Sequence, residues 1–252
     1  MTNKLSDILK TFHTITLAEM DNVKLMDRTD TKFVFRSDFL PVLLKDMVEH
    51  YRVLEVNGII PNRYETLYFD SEKLDFYRQH HNGKLNRYKV RYRQYVESQL
   101  NFFEIKFKSN KRRTIKERVK RKKIHEEIEG KAEELLSNTT QICPESLVPQ
   151  LWVYYYRMTF VNKLGGERLT VDFDLSFKDE NNTSSYPALV IAEVKRGKSG
   201  HSPFIELMRK HHISSDSISK YCLGILSLKP DVKKNRFKMK LRTINKLCYE
   251  KN

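Results

Sequence analysis

Short segments in which charged side chains alternate with aromatic and aliphatic ones recur along most of this chain. No other feature limits its fold as strongly. Successive side chains of a β-strand point to opposite faces, so each such segment has one charged face and one apolar face. In residues 86–95 (NRYKVRYRQY), Arg87, Lys89, Arg91 and Arg93 share a face, and Tyr88, Val90 and Tyr92 share the other. In 101–108, Glu104, Lys106 and Lys108 oppose Phe103, Ile105 and Phe107; in 113–122, Lys116, Arg118 and Lys120 alternate with Ile115 and Val119. In 167–177, Arg168, Thr170, Asp172 and Asp174 oppose Leu169, Val171 and Phe173; in 188–195, Glu193 and Lys195 oppose Val190, Ala192 and Val194.

With 32–36, 64–70 and 151–161, these segments make eight expected strands. The connections are short and carry turn residues, such as KLGG at 163–166, which favours antiparallel neighbours. An even number of antiparallel strands can close on itself and remove its edges. Helices are expected over 37–51, over 125–136, from Ser202 onward with Pro203 at the first helical position, and over 233–247. Their apolar stripes need a surface to cover. That places the apolar strand faces outward, under the helices, and the charged faces inward. The expected fold is therefore mainly β (α+β): one domain over 1–252, a closed eight-stranded antiparallel tunnel with amphipathic helices packed outside. The basic helix at 233–247 is expected to pack on the barrel rather than lie on an anionic membrane.

The sign of the inward charge is informative. The 252 residues carry a formal net charge of +15, which implies an anionic partner. A solvated sheet face would mix signs, and like charges on neighbouring strands repel. A bound polyanion offsets that repulsion. The run 111–123 alone holds nine Lys and Arg residues against Glu117; it reads equally as a solvated hairpin end or as the rim of an anion-steering mouth. Nucleic acid is disfavoured, because the aromatic residues alternate away from the charged faces instead of interleaving with them. Cys143, Cys222 and Cys248 are widely spaced, which suggests neither a disulfide framework nor a zinc site and fits a cytoplasmic setting. The N-terminus has no signal-peptide pattern, and no run approaches the ~20 apolar residues of a membrane span. Any role at a membrane would be peripheral, at its inner face, or through a partner protein.

Taken in order, the segments DRTDTKFVF, YETLYFD, YKVRYRQY, FFEIKFK, RTIKERV, YYYRMTF, ERLTVDFDLSF, AEVK and SKYCLG resemble the triphosphate tunnel metalloenzyme superfamily. Within it they resemble the VTC (vacuolar transporter chaperone) domain, the catalytic domain of polyphosphate polymerases. The motifs run from Arg28 to about Gly224. The resemblance implies that ATP and polyphosphate are the substrates and that Mn²⁺ or Mg²⁺ takes part. It implies Lys32 at the mouth, Arg91 and Arg93 as a phosphate-gripping pair, and Lys106 and Lys116 as further phosphate ligands. Arg157 and Arg168 would hold the transferring phosphoryl group or its neighbour, Glu193 would bind the metal, and Ser219 and Lys220 would contact phosphate near the end of the domain. Lys89, Arg118 and Lys195 lie on the same charged faces and are further substrate-binding candidates. Phe102 stands where the superfamily's EXEXK pattern would put its first Glu, which points away from the triphosphatase and cyclase branches and toward the VTC branch.

The residue types fit that chemistry. Phosphoryl transfer asks mainly for charge neutralisation and in-line placement. Arg grips phosphate oxygens with two N–H groups, Lys supplies a point charge, and carboxylate oxygens suit hard divalent cations. Structural alternatives remain open here: Arg91 and Arg93 as ion-pair partners of Asp172 and Asp174, Lys32 as a solvated strand-end charge, and the adjacent pairs His80/His81 and His211/His212 as surface residues. The leading function is a metal-dependent polyphosphate polymerase that moves the γ-phosphate of ATP onto a growing chain. The alternatives are a triphosphate or polyphosphate hydrolase and a non-catalytic module binding polyphosphate or inositol phosphates.

Overall fold

In a computed structural model of the chain, residues 3–21, 28–111, 113–197, 201–216 and 218–249 are described. Asp27 and Arg112, which belong to the motif and the basic run above, lie outside them. The strands are Thr14–Ile15 (β1), Arg28–Arg36 (β2), Tyr51–Leu54 (β3), Asn62–Asp70 (β4), Arg87–Tyr95 (β5), Leu100–Lys108 (β6), Thr114–Arg121 (β7), Val148–Asn162 (β8), Glu167–Lys178 (β9), Thr183–Tyr186 (β10) and Leu189–Gly197 (β11). The helices are Asn3–Leu9 (α1), Leu17–Asp21 (α2), Leu40–Met47 (α3), Asp75–His81 (α4), Lys131–Thr139 (α5), Pro203–Lys210 (α6), Lys220–Leu228 (α7) and Lys238–Tyr249 (α8).

All eight expected strands are present, and they form the wall of the tunnel in the order β2-β11-β9-β8-β4-β5-β6-β7, antiparallel throughout. Strict closure is the point of difference. Among the described residues no ladder joins β7 to β2. The outer edge of β2 is taken instead by the chain before α7: Ser215 bridges Phe33, and the Asp216 amide donates to the Lys32 carbonyl at 2.9 Å. With that edge satisfied, β2 has no free hydrogen-bonding groups at Phe33 and Lys32 to offer β7. The seam is a cavity of about 1370 Å³ with Thr29 and Lys32 on one side, Thr114 and Ile115 on the other, and α7 and α8 behind.

The apolar faces point outward, as the alternation requires. Phe33, Phe35, Val171, Val190 and Ala192 pack under α1, α3 and α6, and Leu67, Phe69, Val90, Tyr92, Phe103 and Ile105 pack under α5. Two expected helices are shorter than the sequence pattern implied. The first gives way to β3 at Tyr51, and the helix expected from 125 starts only at Lys131, because Gly130 (φ 55°) turns the chain immediately before it. Ser202 caps α6, its hydroxyl accepting from the Ile205 amide at 3.2 Å. The C-terminal helix α8 does lie on the protein, with Ile244 buried and the Leu247 carbonyl accepting from Arg36 at 2.6 Å. No described helix is long and apolar enough to cross a membrane.

The unforeseen element is α7, which sits on the concave side. Its Tyr221, Cys222, Leu223 and Ile225 pack against Leu151, Val153, Leu175, Phe177 and Ile191. The concave face is thus charged along one stretch of the strands and apolar along the next. In β9 a bulge makes that change. The register shifts between Tyr154 and Tyr156 of β8, and Asp174 opposite adopts φ 52°. Asp174 was expected beside Asp172 on the charged face; the bulge leaves it exposed and brings Leu175 and Phe177 inward beneath α7.

Gly224 marks the closest approach of α7 to the sheet. A Cβ there would lie 2.7 Å from Phe177 Cδ1 and 2.8 Å from Leu151 Cδ1. Gly224→Ala should therefore destabilise by about 1–3 kcal/mol despite alanine's better helix propensity. Urea denaturation would show a lower midpoint at unchanged slope; a midpoint at or above wild type would mean that α7 can move away without loss.

Candidate functional site

The strand register brings the inward charges together. Across β5, β6 and β7, Arg91 faces Glu104, and Lys106 lies between Lys89 and Lys116. Across β8, β9, β11 and β2, Arg157 faces Asp172, Thr170 faces Glu193, and Glu193 faces Lys32. Three carboxylates organise the set: Glu104 has three cations around it, and Asp172 and Glu193 have two each.

Glu104 is fully buried. It accepts from Arg91 Nε at 2.8 Å and Nη2 at 2.6 Å, pairs with Lys116, and lies 4.0 Å from Arg93. Asp172 accepts both arms of Arg157, at 2.5 and 2.7 Å, and pairs with Lys220. Glu193 is held by Lys32 on one oxygen and by Lys195 on the other. Burial alone would raise all three acids, yet the adjacent cations keep each of them low, Asp172 at about 2. The cations respond in turn. Arg91, then burial, then Arg93 push Lys106 well below its ordinary value, and burial lowers Lys89, Lys116, Lys195 and Lys220.

Aromatic rings wall the chamber. The Arg157 guanidinium lies 4.8 Å from the Tyr64 ring centre and 5.3 Å from that of Tyr155, and Lys220 Nζ lies 4.7 Å from the Tyr155 centre. Arg93 Nε donates to Thr66 at 3.2 Å, and Arg91 Nη1 donates to the Tyr68 hydroxyl at 2.9 Å. Burial would raise the Tyr68 phenol, but Arg91, Arg93 and Lys89 draw it down to about 8.

The start of α7 ties the chamber together. Ser219 caps the helix and accepts from Lys89 Nζ of β5 at 2.9 Å; Lys220 pairs with Asp172 of β9; the Tyr221 hydroxyl donates to Asp70 of β4 at 2.5 Å. Three successive residues thus reach three strands. Asp70 also accepts from the amides of Phe76 and Tyr77 at the start of α4, at 2.8 and 2.9 Å.

Lys32, Lys89, Arg91, Arg93, Lys106, Lys116, Arg157, Lys195, Ser219, Lys220 and Glu193 therefore share one continuous face with the cavity at its end. Arg168 stands further along β9, opposite Lys195. Arg118 is set apart: it is exposed and stacks on Phe102, 4.5 Å from the ring centre. Arg91 pairs with Glu104 rather than with Asp172 or Asp174. His81 is not a surface residue, being 2% exposed; His80 is half-buried at the edge of the cavity, its Nδ1 3.0 Å from Cys222 Sγ. Glu104 and Asp172 are the chamber residues that alternation placed but could not pair, since partner choice depends on register. The helix at 220–228 was detectable as an apolar nine-residue run with a Ser cap before it and Pro230 after it.

The donor set bears on a divalent cation. Among the described residues no three His, Cys, Asp or Glu side chains gather. Glu193 alone, between two ammonium groups, fits a metal only as one ligand to an ion whose other ligands are phosphate oxygens.

Asp172 contributes to stability through its low pKa. Its contribution is complete above about pH 4 and is lost as pH falls through about 2, where the folded-state carboxyl protonates. Asp172→Asn, which removes the buried carboxylate between the half-buried Arg157 and Lys220, should cost about 3 kcal/mol near neutrality. The gap between wild type and variant in urea midpoint should shrink on going from pH 5 to pH 2; a constant gap would show that the pair's charge is not what stabilises.

Comparison with known proteins agrees with this architecture. The family description "VTC domain" matches residues 27–229. No curated protein matches. A Hippeastrum protein, described as an adenylyl cyclase candidate with a dominant triphosphatase activity, superposes with a TM-score of 0.50 at 12% identity, covering 81% of this chain and 98% of that one. A Bacillus halodurans protein, described as an adenylate cyclase candidate, gives 0.49 at 11% identity over 77% of this chain and 96% of its own. At these identities the Hippeastrum likeness speaks for the fold alone, which is the tunnel fold.

Proposed function

We propose that this chain, which belongs to the VTC domain family, is a polyphosphate polymerase: it takes the γ-phosphate of ATP, adds it to the end of a polyphosphate chain and releases ADP. Family membership supports action on phosphate chains. The observation that carries the reading is the arrangement of the buried Arg91 and Arg93 and the half-buried Arg157 and Lys220 around one chamber, continuous with the basic mouth. Such a surface is preorganised for several phosphates in a row.

The attacking group in chain growth is a phosphate oxygen that is already anionic, so no side chain need remove its proton. What the chain's residues supply is position and charge. Arg91 and Arg157 present forked donors, Lys106, Lys116 and Lys220 present point charges, and the three carboxylates hold those groups in place before substrate arrives. Tyr64 and Tyr155 exclude water from the chamber, which strengthens every charge contact in it. Glu193 would hold a Mn²⁺ or Mg²⁺ arriving with the phosphates, and the ion would neutralise charge on their oxygens.

Incubation with ATP and Mn²⁺ or Mg²⁺ should give a polyphosphate ladder on a gel, with ADP formed in step. Free phosphate without a ladder would mean that water is the acceptor and the protein a hydrolase. Neither product would leave a binding module. Arg91→Ala leaves Glu104 paired with Lys116, and Lys220→Ala leaves Asp172 paired with Arg157, so both variants should fold. Each is expected to lower synthesis by about 10²-fold or more, checked by ADP release alongside a melting curve. Wild-type rates in both would remove these residues from the site.

A further inference from the structure

The two ends of the sheet are finished differently. The outer edge of β2 already carries an added piece of chain, Ser215 and Asp216. At the other end β7 pairs with β6 and, among the described residues, with nothing on its outer side. Its eight residues, about 27 Å of extended chain, therefore leave alternate backbone N–H and C=O groups open. Only Val119 and Arg121 among them are partly covered, and Ile115 is 51% exposed. The two faces of this edge differ. Lys116, Arg118 and Lys120 share the concave side, while Ile115, Glu117 and Val119 share the outer one, where Val119 packs at the margin of the layer beneath α5. Glu104 holds Lys116, but among the described residues no carboxylate pairs with Arg118 or Lys120. Lys and Arg on an exposed edge guard against pairing with strands of like charge or none. They do not guard against an acidic strand.

We propose that the free edge of β7 docks a partner protein by taking up an extended acidic segment as one more antiparallel strand. Charge complementarity selects that occupant. Acidic side chains at alternate positions would stand opposite Lys116, Arg118 and Lys120, and the apolar residues between them would cover Ile115 and extend the layer at Val119. Main-chain hydrogen bonds supply the affinity, and the acid–apolar alternation supplies the choice of partner. A second copy of this chain fits badly: β7 against β7, with the basic faces kept on one side, sets Lys and Arg against Lys and Arg. The proposal does not depend on the polymerase reading, because it uses the outer edge of β7 and not the chamber.

Isothermal titration calorimetry and amide hydrogen exchange on the full chain test this with three capped peptides of about eight residues. One alternates Glu with Val and Thr, one has the same composition scrambled, and one is the alternating peptide with its backbone nitrogens methylated. The alternating peptide should bind about tenfold or more tighter than the scrambled one and slow exchange at the β7 amides, and the methylated peptide should not bind. Lys120→Glu changes an exposed residue and is expected to melt with wild type, yet it should weaken the alternating peptide about fivefold. Equal binding of the alternating and scrambled peptides would make the edge a general polyanion surface and overturn the proposal. So would binding that tripolyphosphate abolishes and that leaves the β7 amides unchanged, which would put the peptide in the tunnel. Binding by none of the peptides would overturn it as well. A concentration-dependent dimer with slowed β7 exchange in the absence of peptide would give the edge to a second copy instead.

Discussion

The fold depends on how it keeps like charges together. A sheet that turns a dozen Lys and Arg side chains toward one another would open unless something held them. Glu104, Asp172 and Glu193 do so, each among two or more cations, Glu104 and Asp172 buried and Glu193 partly so. Desolvating a carboxylate is costly, and two flanking cations with several hydrogen bonds offset that cost. The three acids also set geometry. A guanidinium gripped on both arms, as Arg157 is by Asp172, cannot wander, so the remaining donors point at fixed places.

Asp172 joins this electrostatics to the architecture. Through Lys220 it fastens the start of α7 to the sheet, next to the bulge at which the concave face of β9 turns from polar to apolar. The same helix closes an apolar layer against Phe177 and Leu151. Ser219 and Tyr221 bring β5 and β4 to the same helix end through Lys89 and Asp70. A motif of three residues, SKY, thus serves as a structural hub and places one of the chamber's cations. A site held on strands and one capped helix is preorganised, which suits chemistry that depends on position and charge.

Most of the wall was legible because period-2 alternation is a local property. Arg87, Lys89, Arg91 and Arg93 must share a face in any strand, and so must Lys116, Arg118 and Lys120. The exceptions are equally physical. Asp174 left the charged face because a bulge inserts one residue, and alternation cannot announce a bulge. Arg118 keeps its phase yet misses the chamber: the exposed β7 lets it stack on Phe102. The seam between β2 and β7 stayed open because residues 215–216, far along the chain, took the edge that closure would have used.

What the sequence by itself determined is the kind of surface: antiparallel strands with apolar faces outward, basic faces inward, and a composition that calls for an anion. Those follow from side-chain order within single segments. Tertiary structure alone decided which acid holds which base, where the concave face changes from charged to apolar, and which cations are left without a carboxylate. Each of these depends on register, on a bulge or on a helix arriving from elsewhere in the chain, and a ladder shifted by one residue would have turned every one of those side chains to the other face.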